Sequence, residues 1–180
     1  GLLDAFDGKV ARTKRNRTDT EKRFGIQIDS LADMTSFGVL PACIGYAIGL
    51  RKPWQMVLLV AYALAGLIRL AYFNVTEEER QKTEGGVRKY YTGLPVTTAS
   101  LIFPLVMLAQ YLTAADISLV YIAVALITAV AFVSKLQVPK PGINGILGML
   151  AVGIVILAVM IVIMTLTSSS VSFLNIFASH

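Results

Sequence analysis

The run Ile28-Asp29-Ser30-Leu31-Ala32-Asp33-Met34-Thr35-Ser36-Phe37-Gly38-Val39-Leu40-Pro41-Ala42, continuing apolar to Leu50, joins two carboxylates directly to a stretch of membrane-span length. A helix needs about 20 mostly apolar residues to cross a bilayer. Residues 28–50 meet that length, with Asp29 and Asp33 in the opening turns. Four further stretches qualify, at 54–75, 94–113, 116–134 and 143–166. The 180 residues are 56% hydrophobic, above the roughly 45–50% of a soluble domain, so a lipid bilayer is the natural solvent. The connections are short, which favours antiparallel neighbours. Pro53, Pro95 and Pro141 fall at or near span starts, where a missing amide donor is harmless. The expected fold is therefore all-α, a polytopic transmembrane helix bundle forming a single domain over 1–180. Residues 1–12 read as the end of a preceding helix, and the start at Gly1 rather than Met leads us to expect a missing N-terminal portion.

Charge sets the orientation. The loop from Lys9 to Arg23 holds seven of the sixteen basic residues. With alternating sides, Arg80, Lys82, Arg88, Lys89, Lys135 and Lys140 join it, giving thirteen on one side against Arg51 and Lys52 on the other. That asymmetry places the aspartate-bearing end in the cytoplasm. The net charge of +5 then reflects topology and anionic lipid head groups. Nucleic acid is not expected as a partner, because the basic residues sit in loops held at a membrane. The single Cys43 excludes an internal disulfide and reads as a small buried hydrophobe. The one histidine, His180, is the last residue, which argues against histidine phospho-enzymes and His-ligated zinc.

The carboxylates carry the chemistry. In Leu3-Asp4-Ala5-Phe6-Asp7-Gly8-Lys9-Val10-Ala11-Arg12, Asp4 and Asp7 are three apart, and in Gly25-Ile26-Gln27-Ile28-Asp29-Ser30-Leu31-Ala32-Asp33 the second pair is four apart. Either spacing puts a pair on one helix face. Two neighbouring antiparallel helices would bring four carboxylates together at the edge of the bilayer. Left unpaired, they would repel one another and lose hydration at a cost of several kcal/mol. Mg²⁺ or Mn²⁺, shared between carboxylates and substrate phosphates, removes that cost. Asp19 and Glu21, by contrast, read as ordinary solvated acids. Gly8 and Ala11 leave one side of their helix bare, either for close helix packing or for a flat ligand.

Asp4-x2-Asp7-Gly8-x2-Ala11-Arg12 followed by Gly25-x3-Asp29-x3-Asp33 resembles the signature of the CDP-alcohol phosphotransferases, with all eight signature residues present. The spacer between Arg12 and Gly25, twelve residues, is longer than the family's usual one. Its extra length falls in the polar run Thr13 to Phe24. Asp29-Ser30-Leu31-Ala32-Asp33, Ser36-Phe37-Gly38-Val39-Leu40-Pro41-Ala42, Arg69-Leu70-Ala71-Tyr72-Phe73-Asn74-Val75 and Thr92-Gly93-Leu94-Pro95 resemble the membrane-embedded phosphatidylserine synthase branch. Tyr72 departs from it, since many members have arginine there. Ser30 and Met34 differ from the proline and lysine usual in phosphatidylglycerophosphate synthases.

The resemblance covers roughly residues 3–95 and implies a mechanism. Asp4, Asp7 and Asp29 would hold two divalent ions, Mg²⁺ or Mn²⁺, that grip the diphosphate of CDP-diacylglycerol. Asp33 would act as general base on the hydroxyl of L-serine and touch metal as well. Attack on the phosphorus bearing the diacylglycerol would release CMP, with positioning and charge stabilisation supplying most of the rate. Asp4, Gly8 and Ala11 would lie against the CDP-lipid, and Arg12 would offset its phosphate charge. The resemblance further implies a homodimer in a prokaryotic cell membrane. Glycerol phosphate or inositol phosphate is the alternative acceptor.

Arg69 lies about five residues inside the end of its span, roughly 8 Å deep. It reads either as a functional buried cation, binding with Asn74 a serine carboxylate or lipid phosphate, or as a snorkelling side chain. Lys135 and Lys140 read as orientation charges. Trp54, Tyr72, Tyr90 and Tyr91 suit an aromatic belt, and Tyr62, mid-span, suits helix packing. A cation transporter is the rival from another class, but transporters keep coupling carboxylates near the midplane in broken helices.

Overall fold

The computed structural model describes residues 18–83, 90–113, 116–135, 137–139 and 143–178. Asp4, Asp7, Gly8, Ala11 and Arg12 lie outside the described residues. Helix α1 spans Asp19–Asp33 and runs on through a π-helical turn, Met34–Val39, into α2, Leu40–Ala47. Helix α3 is Pro53–Thr83, α4 is Ala99–Thr113 behind a 3₁₀ turn at Val96–Thr98, α5 is Ser118–Val133 and α6 is Ile143–Ala178. Each of the five expected stretches overlaps helix, the first being divided between α1, the π turn and α2. Two of these helices are long and apolar enough to cross a membrane, Pro53–Arg80 and Leu147–Leu166. Val96–Ala109 and Ser118–Val133 are shorter apolar helices.

Local chemistry explains the boundaries. The Thr18 hydroxyl accepts from the Glu21 amide at 3.2 Å and the Glu21 carboxylate accepts from the Thr18 amide at 3.0 Å, a capping box. So α1 begins in polar sequence, well before the apolar run. At the far end Gly49, at φ +111°, closes α2. The Gly49 amide reaches Tyr46 O at 3.2 Å and the Leu50 amide reaches Gly45 O at 3.1 Å, which is a Schellman cap. Helix α3 outlasts its apolar stretch because Glu77–Arg80 and Glu78–Lys82 pair along its polar end at 2.7 and 2.9 Å.

The π turn also has a visible cause. Pro41 has no amide hydrogen and its ring crowds the carbonyl four residues back, that of Phe37. The chain widens there, and the Leu40 amide bonds Thr35 O, five residues back. The Tyr62 hydroxyl donates to the Phe37 carbonyl at 2.5 Å, replacing the donor that Pro41 lacks. The Tyr121 hydroxyl donates to Pro41 O at 2.6 Å. Both tyrosine rings are buried in a cluster with Phe103 and Phe132. Tyr62 meets Phe103 edge-on, 5.2 Å between centroids and 75° between planes. The helix-packing role expected of Tyr62 is what the structure has.

The core is mostly apolar but takes in a few polar side chains, and much of the outer surface is apolar as well. Gln55, Arg69 and Thr128 are buried, whereas Val57, Leu119, Ile127, Val130, Met164 and Leu166 are exposed. Cys43 is exposed too, which corrects the expectation of a buried thiol. It lies on the side of α2 away from the Pro41 and Gly45 line that packs inward.

A short ladder adds what helical periodicity does not predict. Strand β1, Tyr90–Thr92, pairs antiparallel with β2, Gln137–Pro139, with Tyr91 opposite Val138. It joins the α3–α4 and α5–α6 connections, two of the basic loops assigned to one side. The start of α1 meets the same end of α3 through Arg23 and Glu78, 3.9 Å apart.

Replacing Tyr121 with Phe removes one buried hydrogen bond and keeps the ring. We expect thermal unfolding in detergent to register a loss of about 1 kcal/mol.

Candidate functional site

Asp29 and Asp33 are one helical turn apart on α1, so their carboxylates share a face. Asp29 is exposed, and Asp33, the last residue before the π turn, is half-buried. Two hard oxygen donors one turn apart, at the point where a polar helix becomes apolar, suit Mg²⁺ or Mn²⁺. Among the described residues no group of three or more His, Cys, Asp or Glu side chains is gathered for a metal ion. The other two expected ligands, Asp4 and Asp7, lie outside those residues.

Ser30, between the two aspartates, ties this helix to α3. The Asn74 side-chain amide donates to the Ser30 hydroxyl at 2.7 Å. Asn74, expected to act with Arg69 on an anion, makes this contact to the aspartate-bearing helix. Its neighbour is α1.

Arg69 faces the other way. It is 5% exposed, so the alternative of a side chain snorkelling into water does not apply. Its Nε donates to the Leu94 carbonyl at 3.1 Å, and the guanidinium lies 5.4 Å from the Phe73 ring centroid. The turn that receives it is built on glycine. Gly93 adopts φ +83°, and a Cβ there would lie 2.9 Å from Phe132 O, 3.0 Å from Ser134 O and 3.1 Å from Arg69 Nε. The Leu94 amide bonds Ala131 O at 3.2 Å. Arg69 therefore sits where the last carbonyls of α5 carry the negative end of the helix dipole, which favours the buried cation.

Beside Arg69 opens a groove of about 420 Å³, its mouth included, lined among others by Ile68, Tyr72, Phe132, Ser134 and Lys135. Lys135 was expected only to set orientation, yet it borders the same groove as Arg69. Spacing along the chain gives no sign of this, because Arg69 is on α3 and Lys135 follows the end of α5. Tyr72, expected in an aromatic belt, is half exposed and lines the groove as well.

We compared the sequence with known proteins. The profile of the CDP-alcohol phosphatidyltransferase family matches residues 1–133. A CDP-diacylglycerol–serine O-phosphatidyltransferase of Saccharomyces cerevisiae is 46% identical over 97 residues, covering 53% of this chain and 34% of the relative. The protein of that name from Mycobacterium tuberculosis is 34% identical over 101 residues, covering 56% and 34%. An archaetidylserine synthase of Methanothermobacter thermautotrophicus is 34% identical over 140 residues, covering 77% and 54%. The chain thus spans between about a third and a half of the length of these relatives.

Gly93→Ala forces a side chain into a left-handed backbone and against the end of α5. A loss of about 2 kcal/mol or more is expected, seen as a lowered unfolding temperature of the detergent-solubilised protein.

Proposed function

Because this chain belongs to the CDP-alcohol phosphatidyltransferase family, we propose that it transfers a phosphatidyl group from CDP-diacylglycerol to L-serine and releases CMP. The observation that carries the reading is the aspartate pattern, Asp4, Asp7, Asp29 and Asp33, with its second pair on one face of α1 at the start of an apolar helix. The names of the relatives favour serine as the acceptor.

In this reading the chain is one transmembrane domain over 1–180, a polytopic bundle with the aspartate end in the cytoplasm and a homodimer by family analogy. Asp4, Asp7, Asp29 and Asp33 would hold two Mg²⁺ or Mn²⁺ ions, which when bound supply charge neutralisation at the diphosphate. Gly8, Ala11 and Arg12 contact the CDP-lipid. Asp33 accepts the proton of the serine hydroxyl. The serine oxygen forms a bond to the phosphorus bearing the diacylglycerol, and the bond from that phosphorus to the CMP oxygen breaks. A carboxylate is a weak base, so this proton moves late, once the new bond is partly made. Arg69 and Lys135 give the groove a positive edge suited to a phosphate or carboxylate. Asn74 acts indirectly, by holding Ser30 and so the aspartate face.

The test is CMP release by membranes carrying the full-length protein, supplied with CDP-diacylglycerol, Mn²⁺ or Mg²⁺, and one alcohol at a time. Release with serine alone is expected. Release with glycerol phosphate or inositol phosphate instead would reassign the acceptor, and none with any alcohol would end the enzyme reading.

Asp33→Asn separates base from ligand. Turnover should fall by about 10²–10⁴-fold while metal-dependent binding of CDP-diacylglycerol persists. Loss of that binding would make Asp33 chiefly a ligand.

A further inference from the structure

The π turn lies between the aspartates and the part of the same helix that packs into the core. Its geometry bears on where the aspartates face. In an unbroken α-helix, eight residues at about 100° each would leave Asp33 about 80° round the axis from Pro41, and Asp29 about 120° round. A π turn absorbs one extra residue, which removes about 100° of that sweep. Both aspartates then fall within about 20° of the line through Pro41 and Gly45. That line is the inward one. Pro41 and Gly45 are buried, Pro41 O receives the Tyr121 hydroxyl, and a Cβ on Gly45 would meet Leu59 and Tyr121. Asp33 is half-buried accordingly, and Asp29, a turn further from the core, is exposed.

The turn is held from two sides. Pro41 cannot supply the amide that would close an α-helical bond to Phe37, and Tyr62, from α3, supplies a hydroxyl to that carbonyl at 2.5 Å. Gly38, inside the turn, is buried, and Gly66 of α3 comes close enough that its missing Cβ would lie 3.8 Å from the Gly38 Cα. The contact fixes the turn against α3 as well as along its own axis.

We propose that the π turn at Met34–Val39, set by Pro41 and held by the Tyr62 hydroxyl, is what brings Asp29 and Asp33 into line with the Pro41–Gly45 face of their helix. Tyr62 is then a positioning residue for the reaction. The inference rests on the assignment of these aspartates to the metal-and-base site.

Cross-linking reads the rotation without any need for activity. In the full chain carrying Cys43→Ser, the pair Ser30→Cys and Asn74→Cys should form a disulfide under mild oxidation. Pro41→Ala together with Tyr62→Phe should let the turn close into ordinary α-helix, which turns the aspartate end by about 100° and passes the cross-link from residue 30 to residue 31, with Leu31→Cys and Asn74→Cys becoming the reactive pair. If the cross-link instead stays with residue 30, the turn does not depend on these two side chains. That outcome overturns the proposal, as does failure of the parent pair to cross-link. Separately, Tyr62→Phe keeps the ring against Phe103 and Phe132. It should lower kcat by about tenfold or more, with KM for CDP-diacylglycerol little changed. Unchanged kcat in Tyr62→Phe also overturns it. Wild type that releases no CMP with any alcohol defeats the proposed reaction instead, and cross-linking alone then decides the rotation.

Discussion

The hydroxyl of Tyr62 on the carbonyl of Phe37 answers a problem set by the chain itself. A buried carbonyl without a donor is costly wherever water is absent, and Pro41 creates one in the middle of a helix. The answer comes from a different helix, so satisfying the backbone and docking α3 against the first helix become one event. Tyr121 repeats the arrangement from α5, on Pro41 O. Three helices are thereby registered by two hydroxyls. The aromatic cluster of Tyr62, Phe103, Tyr121 and Phe132 forms round them, and the aspartates are placed by the end of the helix so held.

At the other margin of the site the same economy recurs with a charge. Arg69 is buried beside the last turn of α5 and bonded to Leu94 O, while Gly93 lets the backbone come close to both. A side chain at residue 93 would occupy the space that the arginine and the helix end share. The buried charge is met by the Leu94 carbonyl and by the nearby carbonyl end of α5. The groove it borders is fixed by α3, α5 and the glycine turn together.

Much of this was legible in the sequence, and the reasons differ by feature. The helices follow from apolar run length, which depends on nothing outside each run. The spacing of Asp29 and Asp33 likewise predicts a shared face, because one helix decides it. Tyr62 was legible as a packing residue from its position in mid-span. Less was legible where two segments meet. The β1–β2 ladder pairs residues 45 or more positions apart, and Lys135 joins Arg69 only through the fold. Asn74 was read together with Arg69 because it follows closely, and its bond to Ser30 of α1 is decided by how two helices meet, which neither helix reveals by itself. Cys43 was read as buried from its apolar neighbours. In this protein, however, apolar neighbours mark the outside as readily as the core.

The ladder between β1 and β2 has a mechanical meaning. Its three residue pairs act together, and beside them the Leu94 amide is anchored on Ala131 O. A force drawing the loop end of α3 away from that of α5 must load all these bonds at once, whereas bonds arranged in series would give way one by one. Separating these two ends therefore means breaking a set of backbone bonds and not a single contact.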